Sequence, residues 1–153
     1  MTSATQELVM TRIFDAPREL VYQAFLDPDQ LSQWFGPVGY SVPRDTVSVD
    51  ARPGGYQRFV MVNDENSSER SEIDATLTEV VENELIVGHQ DVEGIPGFEG
   101  IAKFTLRVAF YSEPDGKTRL ELRQGPYTDA VAGNARLGWE SSFTKLDALL
   151  KAS

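Results

Sequence analysis

The stretch "ARLGWESSFTKLDALLK", Ala135–Lys151, decides the fold. Ala135, Trp139, Phe143, Leu146 and Leu150 recur at steps of four, four, three and four, so one face of a helix is apolar along its whole length. Glu140, Lys145 and Lys151 lie off that stripe. The helical period covers roughly the last 25 residues, a rod of about 35 Å at 1.5 Å per residue. One strand cannot cover such a stripe. It needs the whole apolar face of a sheet.

The chain supplies that sheet between Tyr40 and Gln124. In "IAKFTLRVAF", Ala102, Phe104, Leu106, Val108 and Phe110 alternate with Lys103, Thr105 and Arg107. In "TRLELRQ", Leu120 and Leu122 point inward, with Arg119, Glu121 and Arg123 outward. In "ERSEIDATLTEV", Ile73, Ala75 and Leu77 oppose Glu72, Asp74, Thr76 and Thr78. "NELIVGHQ" is a shorter strand, "RPGG" at Arg52–Gly55 a turn, and Asp115-Gly116 in "EPDGK" a hairpin signal. This pattern predicts an antiparallel sheet with one wet and one apolar face.

Ahead of the sheet, "ELVMTRIF" (residues 7–14) reads as a first strand, and two short helices follow. Leu20, Val21, Ala24 and Phe25 share one helical face, with Pro17 placed for a first turn. Asp27 is set to cap the second helix, with Pro28 at its first position and Gln30 three residues after the cap. Gly36 and Pro37 must end it. The predicted architecture is α+β: a curved antiparallel sheet of about six or seven strands around a long C-terminal helix. Residues 1–153 read as a single domain.

Composition narrows the function. The chain has 153 residues, no Cys, one His and a formal charge of −10. Disulfides, thiol nucleophiles and Cys-ligated zinc are excluded. The acidic surface disfavours nucleic acid and anionic membranes. No signal peptide or membrane span is visible, so a cytoplasmic location is expected.

The stretches "FDAPRELVYQAFLDPDQLSQWFGP" (Phe14–Pro37), "RPGG" and "LGWESSFTKLDALL" (Leu137–Leu150) resemble the START-like (SRPBCC) helix-grip superfamily. Within it they look like bacterial proteins related to the activator of the ninety-kilodalton heat-shock protein's ATPase. The resemblance covers nearly the whole chain. It implies a cavity between the long helix and the concave sheet, but no one activity, because ligand carriers, hydrolases, cyclases and co-chaperones share this fold.

The expected cavity residues are Trp34, Phe35, Tyr56, Phe59, Met61, His89, Phe104, Trp139 and Phe143. The leading function is a module that binds a small hydrophobic or amphipathic molecule there. A chaperone partner is the second reading, on resemblance alone. A cyclase or hydrolase using His89, with Tyr56 or Arg58, is the third.

No catalytic constellation supports the enzyme reading. No G-x-S-x-G elbow exists, and no cofactor or metal is implied, since one His without Cys leaves only carboxylates as metal partners. His89 faces the cavity if Leu85 and Val87 point inward. Arg58 is a buried cation if Tyr56 faces the helix, and lies outside if Phe59 and Met61 face in; the period favours the second. Gly138, in mid-helix, implies either a close backbone approach or room for a ligand. "EGIPGFEG", Glu93–Gly100, reads as a loop at the cavity mouth with Phe98 as a lid, or as an ordinary connection. An exposed edge strand leaves a homodimer open.

Overall fold

The computed structural model describes residues 5–93 and 101–151. The Gly94–Gly100 segment, with Phe98, lies outside the described residues. The chain runs β1 (Thr5–Phe14), α1 (Arg18–Leu26), α2 (Pro28–Trp34), β2 (Tyr40–Ser41), β3 (Ser48–Asp50), β4 (Tyr56–Asn63), β5 (Arg70–Val81), β6 (Leu85–Glu93), β7 (Ile101–Glu113), β8 (Lys117–Thr128) and α3 (Asp129–Lys151). The strands form one antiparallel sheet in the order β1-β8-β7-β6-β5-β4-β2, with β3 also paired to β4.

The sheet has eight strands rather than six or seven. The difference lies in β2 and β3, of two and three residues, which a one-turn helix at Arg44–Thr46 separates. Neither is long enough to show an alternation. The long strands follow their patterns. Phe59, Leu77, Ile86, Val108, Phe110, Leu120 and Leu122 are all buried on the concave face.

Two local devices preserve that arrangement. At the β7–β8 hairpin, Asp115 and Gly116 both take positive φ (69° and 73°), as the tight turn requires. In β5 a bulge between Leu77 and Glu79 inserts one residue into the ladder with β6. Thr78 and Glu79 are therefore both exposed, and Val80 returns to the core side opposite Ile86.

The α1–α2 corner closes one end of the sheet. Asp27 Oδ1 accepts from the backbone N–H of Asp29 (2.9 Å) and Gln30 (3.3 Å), which caps α2 as its sequence predicts. Trp34 is fully buried, and its Nε1–H donates to the Ala24 carbonyl at 2.8 Å, tying α2 to α1. Its ring lies 4.8 Å from that of Phe25 and 6.3 Å from that of Phe143.

The long helix α3 lays its stripe on the concave face. Phe143 and Leu146 are fully buried, and Trp139 and Leu150 nearly so. Two bonds fasten α3 to the chain after α2: the Val38 N–H donates to Ser141 Oγ (2.8 Å), and Lys145 Nζ donates to the Tyr40 carbonyl (3.1 Å). An ion pair from Arg12 to Asp147 links it to β1.

Candidate functional site

Under the middle of α3 the sheet and helix do not quite meet. The space left is a cavity of about 100 Å³, lined from β4, β5, β6, β7, β8, α3 and the residue after α2. Phe35, Phe59, Phe104 and Trp139 supply its rings, and Ile73, Leu77, Ile86 and Leu106 its aliphatic wall. The Phe35 ring stands edge-on to Phe59 (4.7 Å) and to Trp139 (5.6 Å). Such T-shaped pairs each contribute about 1 kcal/mol beyond area burial, so they hold one face of the cavity in place.

The cavity extends towards a second hollow of about 220 Å³, which shares Phe35, Ile73, Gln124 and Trp139 and adds Met61, Ala135 and Gly138. Phe35 and Trp139 thus stand between the two spaces. Gly138 faces this hollow. A Cβ at that position would meet nothing within 4 Å, so no backbone approaches it and it borders open space.

Three glutamines bring polar atoms to the cavity wall: Gln57, Gln90 and Gln124. Gln124 Oε1 accepts from Trp139 Nε1–H (2.8 Å) and from the Tyr127 hydroxyl (2.7 Å). Gln57 Nε2 donates to the Phe25 carbonyl (2.7 Å). Gln90 Oε1 accepts from the Asp74 N–H (3.0 Å). That last bond stands where the β5–β6 ladder ends, since the pairing stops at Thr76–His89. No Asp, Glu, Lys or Arg is among the described residues that line the cavity. Burial raises the Tyr127 phenol to a pKa of about 12.

The nine residues expected at the cavity divide into five groups. Phe35, Phe59, Phe104 and Trp139 line it, and Met61 lines the adjoining hollow. Trp34 and Phe143 are fully buried in the packing behind it. Tyr56 is a correction. Strand period puts it on the convex face opposite Phe59, where the Arg58 guanidinium lies 4.1 Å above its ring. Arg58 is exposed there and pairs with Asp74 at 3.0 Å, so it is no buried cation.

His89 borders the cavity, but on the other alternation from the residues that face it. Ile86 and Gly88 are buried, whereas the partners of His89 across the ladder, Thr76 and Thr105, are exposed. Leu85 and Val87 therefore do not set the inward face. His89 Nδ1 is buried without a hydrogen-bond partner among the described residues. No cluster of three His, Asp or Glu suited to a metal occurs among the described residues. No described helix is long and apolar enough to cross a membrane.

A wider hollow of about 660 Å³ lies between α1 and the β5–β6 turn. Glu19, Asp27 and Glu82 stand around it, and it is open to water, so its size reflects a concave surface rather than an enclosed site.

Residues 15–151 match the family model described as "Activator of Hsp90 ATPase homolog 1-like protein". No curated protein matches the chain. Among solved structures, it is similar to protein CV1439 from Chromobacterium violaceum, with 28% identity and a TM-score of 0.80 over 94% of this chain and 96% of that one. The AHSA1 protein SPO3351 from Silicibacter pomeroyi is 28% identical, with a TM-score of 0.78 over 96% and 99% of the two chains. CalU16 from Micromonospora echinospora, at 18% identity, shares the fold, with a TM-score of 0.66 over 95% of this chain and 76% of that one. With its helix-grip sheet, its long C-terminal helix and a family match over nearly its whole length, the chain belongs to the family of Activator of Hsp90 ATPase homolog 1-like proteins.

Proposed function

We propose that this protein is a binding module for a small, largely apolar molecule held between α3 and the sheet. The observation that carries this reading is the ring-lined cavity of about 100 Å³, where the polar side-chain groups among the described residues, apart from the border residues His89 and Thr105, are glutamine amides and the Trp139 indole. A packed core of this size has few voids larger than a water molecule. An apolar cavity of roughly 150 Å³ holds a benzene ring, so the space of about 100 Å³ seats a group somewhat smaller than one ring, and the rest of the ligand lies beyond it. A larger ligand would continue past Phe35 and Trp139 into the hollow of about 220 Å³.

The two tryptophans allow a direct test, because Trp139 lines the cavity and Trp34 is buried behind it. In a Trp34→Phe protein, a ring-sized probe such as toluene or phenol should change the Trp139 emission saturably. In a Trp139→Phe protein that response should disappear. Folded protein without a saturable response up to the solubility of the probes would refute the reading.

The family description supports a second reading, that the chain stimulates the ATPase of a ninety-kilodalton heat-shock chaperone. It predicts a faster ATPase when the purified chain is added to the chaperone of its own host. An unchanged rate would remove it.

A further inference from the structure

The convex face of the sheet has a hollow of its own, of about 230 Å³, where the start of α1 and the β5–β6 turn meet β7. Its floor is Ala109. That residue alternates with the buried Val108 and Phe110, so it belongs to the convex face. Yet only 3% of it is exposed, and it packs outside the hydrophobic core. A methyl group set among longer neighbours makes a dimple there. Arg107 and Tyr111 flank it along β7, Leu85 stands across from it on β6, and Val81 stands across from Leu85 on β5. Val81 is 44% exposed and Tyr111 37%, so this wall is apolar and open to water.

The rim is charged. Arg18 and Arg107 both border the hollow, and both are half-buried. Elsewhere Arg12, Arg44, Arg52, Arg58, Arg119 and Arg123 each pair with a carboxylate. Arg18 and Arg107 have no ion-pair or hydrogen-bond partner among the described residues, although the chain carries a formal charge of −10. Arg107 also lies directly across the β7–β8 ladder from Arg123. Like charges at opposed positions destabilise a sheet. A half-buried cation gives up hydration, and no carboxylate of the described residues returns it to these two.

Glu84 is the one acid among the described residues of the rim. Two positive charges and one negative leave a single charge to be met. A monoanion meets it, whereas a dianion overshoots.

We propose that this hollow binds a small monoanionic carboxylate with an apolar body, a ring or a short branched chain. The guanidinium groups of Arg18 and Arg107 meet the carboxylate, whose two oxygens match their planar forks. The apolar body rests on Ala109, between Leu85 and Tyr111. This site does not depend on the cavity under α3, which lies on the other face of the sheet.

Phenylacetate, its neutral amide phenylacetamide and ring-less acetate test the proposal. Each is titrated into isotope-labelled protein at neutral pH and low salt, where ion pairs are least screened. Nuclear magnetic resonance reads the Ala109 methyl and the backbone N–H groups of Arg107 and Tyr111. Phenylacetate should shift these signals saturably. Loss of the charge in the amide should weaken binding at least about tenfold, since hydrogen bonds to charged groups are the stronger ones. Loss of the ring in acetate should weaken it about tenfold as well. Arg18→Gln and Arg107→Gln should each bring the acid-to-amide ratio towards one. Arg58→Gln removes the same charge elsewhere on the convex face, so it should leave that ratio unchanged within about twofold.

Equal binding of acid and amide would overturn the proposal. So would a ratio that falls as far with Arg58→Gln as with the other two variants, or tighter binding of dianionic phenyl phosphate. Shifts that saturate at Trp139 and Gln124 instead of Ala109 would place the anion in the cavity, and no saturable shift at Ala109 within the probe's solubility would remove the site.

Discussion

Gly138 stands in the middle of α3, where a glycine costs about 1 kcal/mol relative to alanine. Its replacement by alanine is informative because the sign depends on what lies beside it. Were a strand or loop packed against that helix face, a methyl group would force it away and the protein would lose stability. Instead a Cβ at Gly138 meets nothing within 4 Å, because the position borders the hollow beside Trp139. No steric cost offsets the gain in helix propensity and the smaller entropy of the unfolded chain. Gly138→Ala should therefore stabilise the fold by about 1 kcal/mol. With an unfolding entropy near 2.1 cal/mol/K per residue over 153 residues, that gain raises Tm by about 3 °C. Urea unfolding followed by circular dichroism measures it, with an unchanged m-value as the control. A variant less stable than the parent would show that the space beside α3 is closed and would refute the reasoning.

Gly55 should behave in the opposite way, since a Cβ there would lie 2.0 Å from the Asp50 carbonyl oxygen and 2.9 Å from that of Arg52. Gly55→Ala should cost at least about 2 kcal/mol in the same urea experiment. Trp34→Phe removes the bond to the Ala24 carbonyl and part of a fully buried ring, so a loss of about 2 to 3 kcal/mol is expected, with native circular dichroism retained. Tyr127 keeps its proton to about pH 12 in the fold and to about 10 when unfolded. The unfolded chain thus binds fewer protons between those values, and stability should fall as pH rises through that window. Tyr127→Phe should flatten that fall, as unfolding curves on either side of pH 10 would show.

What could be read from the sequence depended on whether the two alternations of a strand differed. In β7 and β8 one alternation is clearly the more apolar, so period sets Phe104, Leu106, Leu120 and Leu122 on the concave face, where they lie. The helical stripe from Trp139 to Leu150 and the Asp27 cap were equally plain. In β6, Leu85, Ile86 and Val87 are all apolar, so period could not choose, and His89 lies on the alternation opposite to Ile86. Tyr56 has the size of a wall residue, but its period opposes that of Phe59 and sets it on the convex face. The glutamines did leave a signal. Gln124 continues the inward series Leu120–Leu122, and Gln57 continues that of Phe59 and Met61. An amide on the apolar alternation of a strand is costly unless it is bonded, which makes such positions worth marking. The two shortest strands and the split between cavity and hollow depend on long-range packing that no local pattern records.

A small molecule bound as proposed occupies the space bounded by Phe35, Phe104, Gln124 and Trp139. That placement is tested by a titration of isotope-labelled protein with phenol, followed by nuclear magnetic resonance. Saturable shifts of the Trp139 indole N–H and the side-chain NH₂ groups of Gln57, Gln90 and Gln124 are expected, with the Trp34 indole signal moving far less. Saturable shifts confined to the open hollow around Glu19 and Glu82, or no saturable shift anywhere, would contradict it.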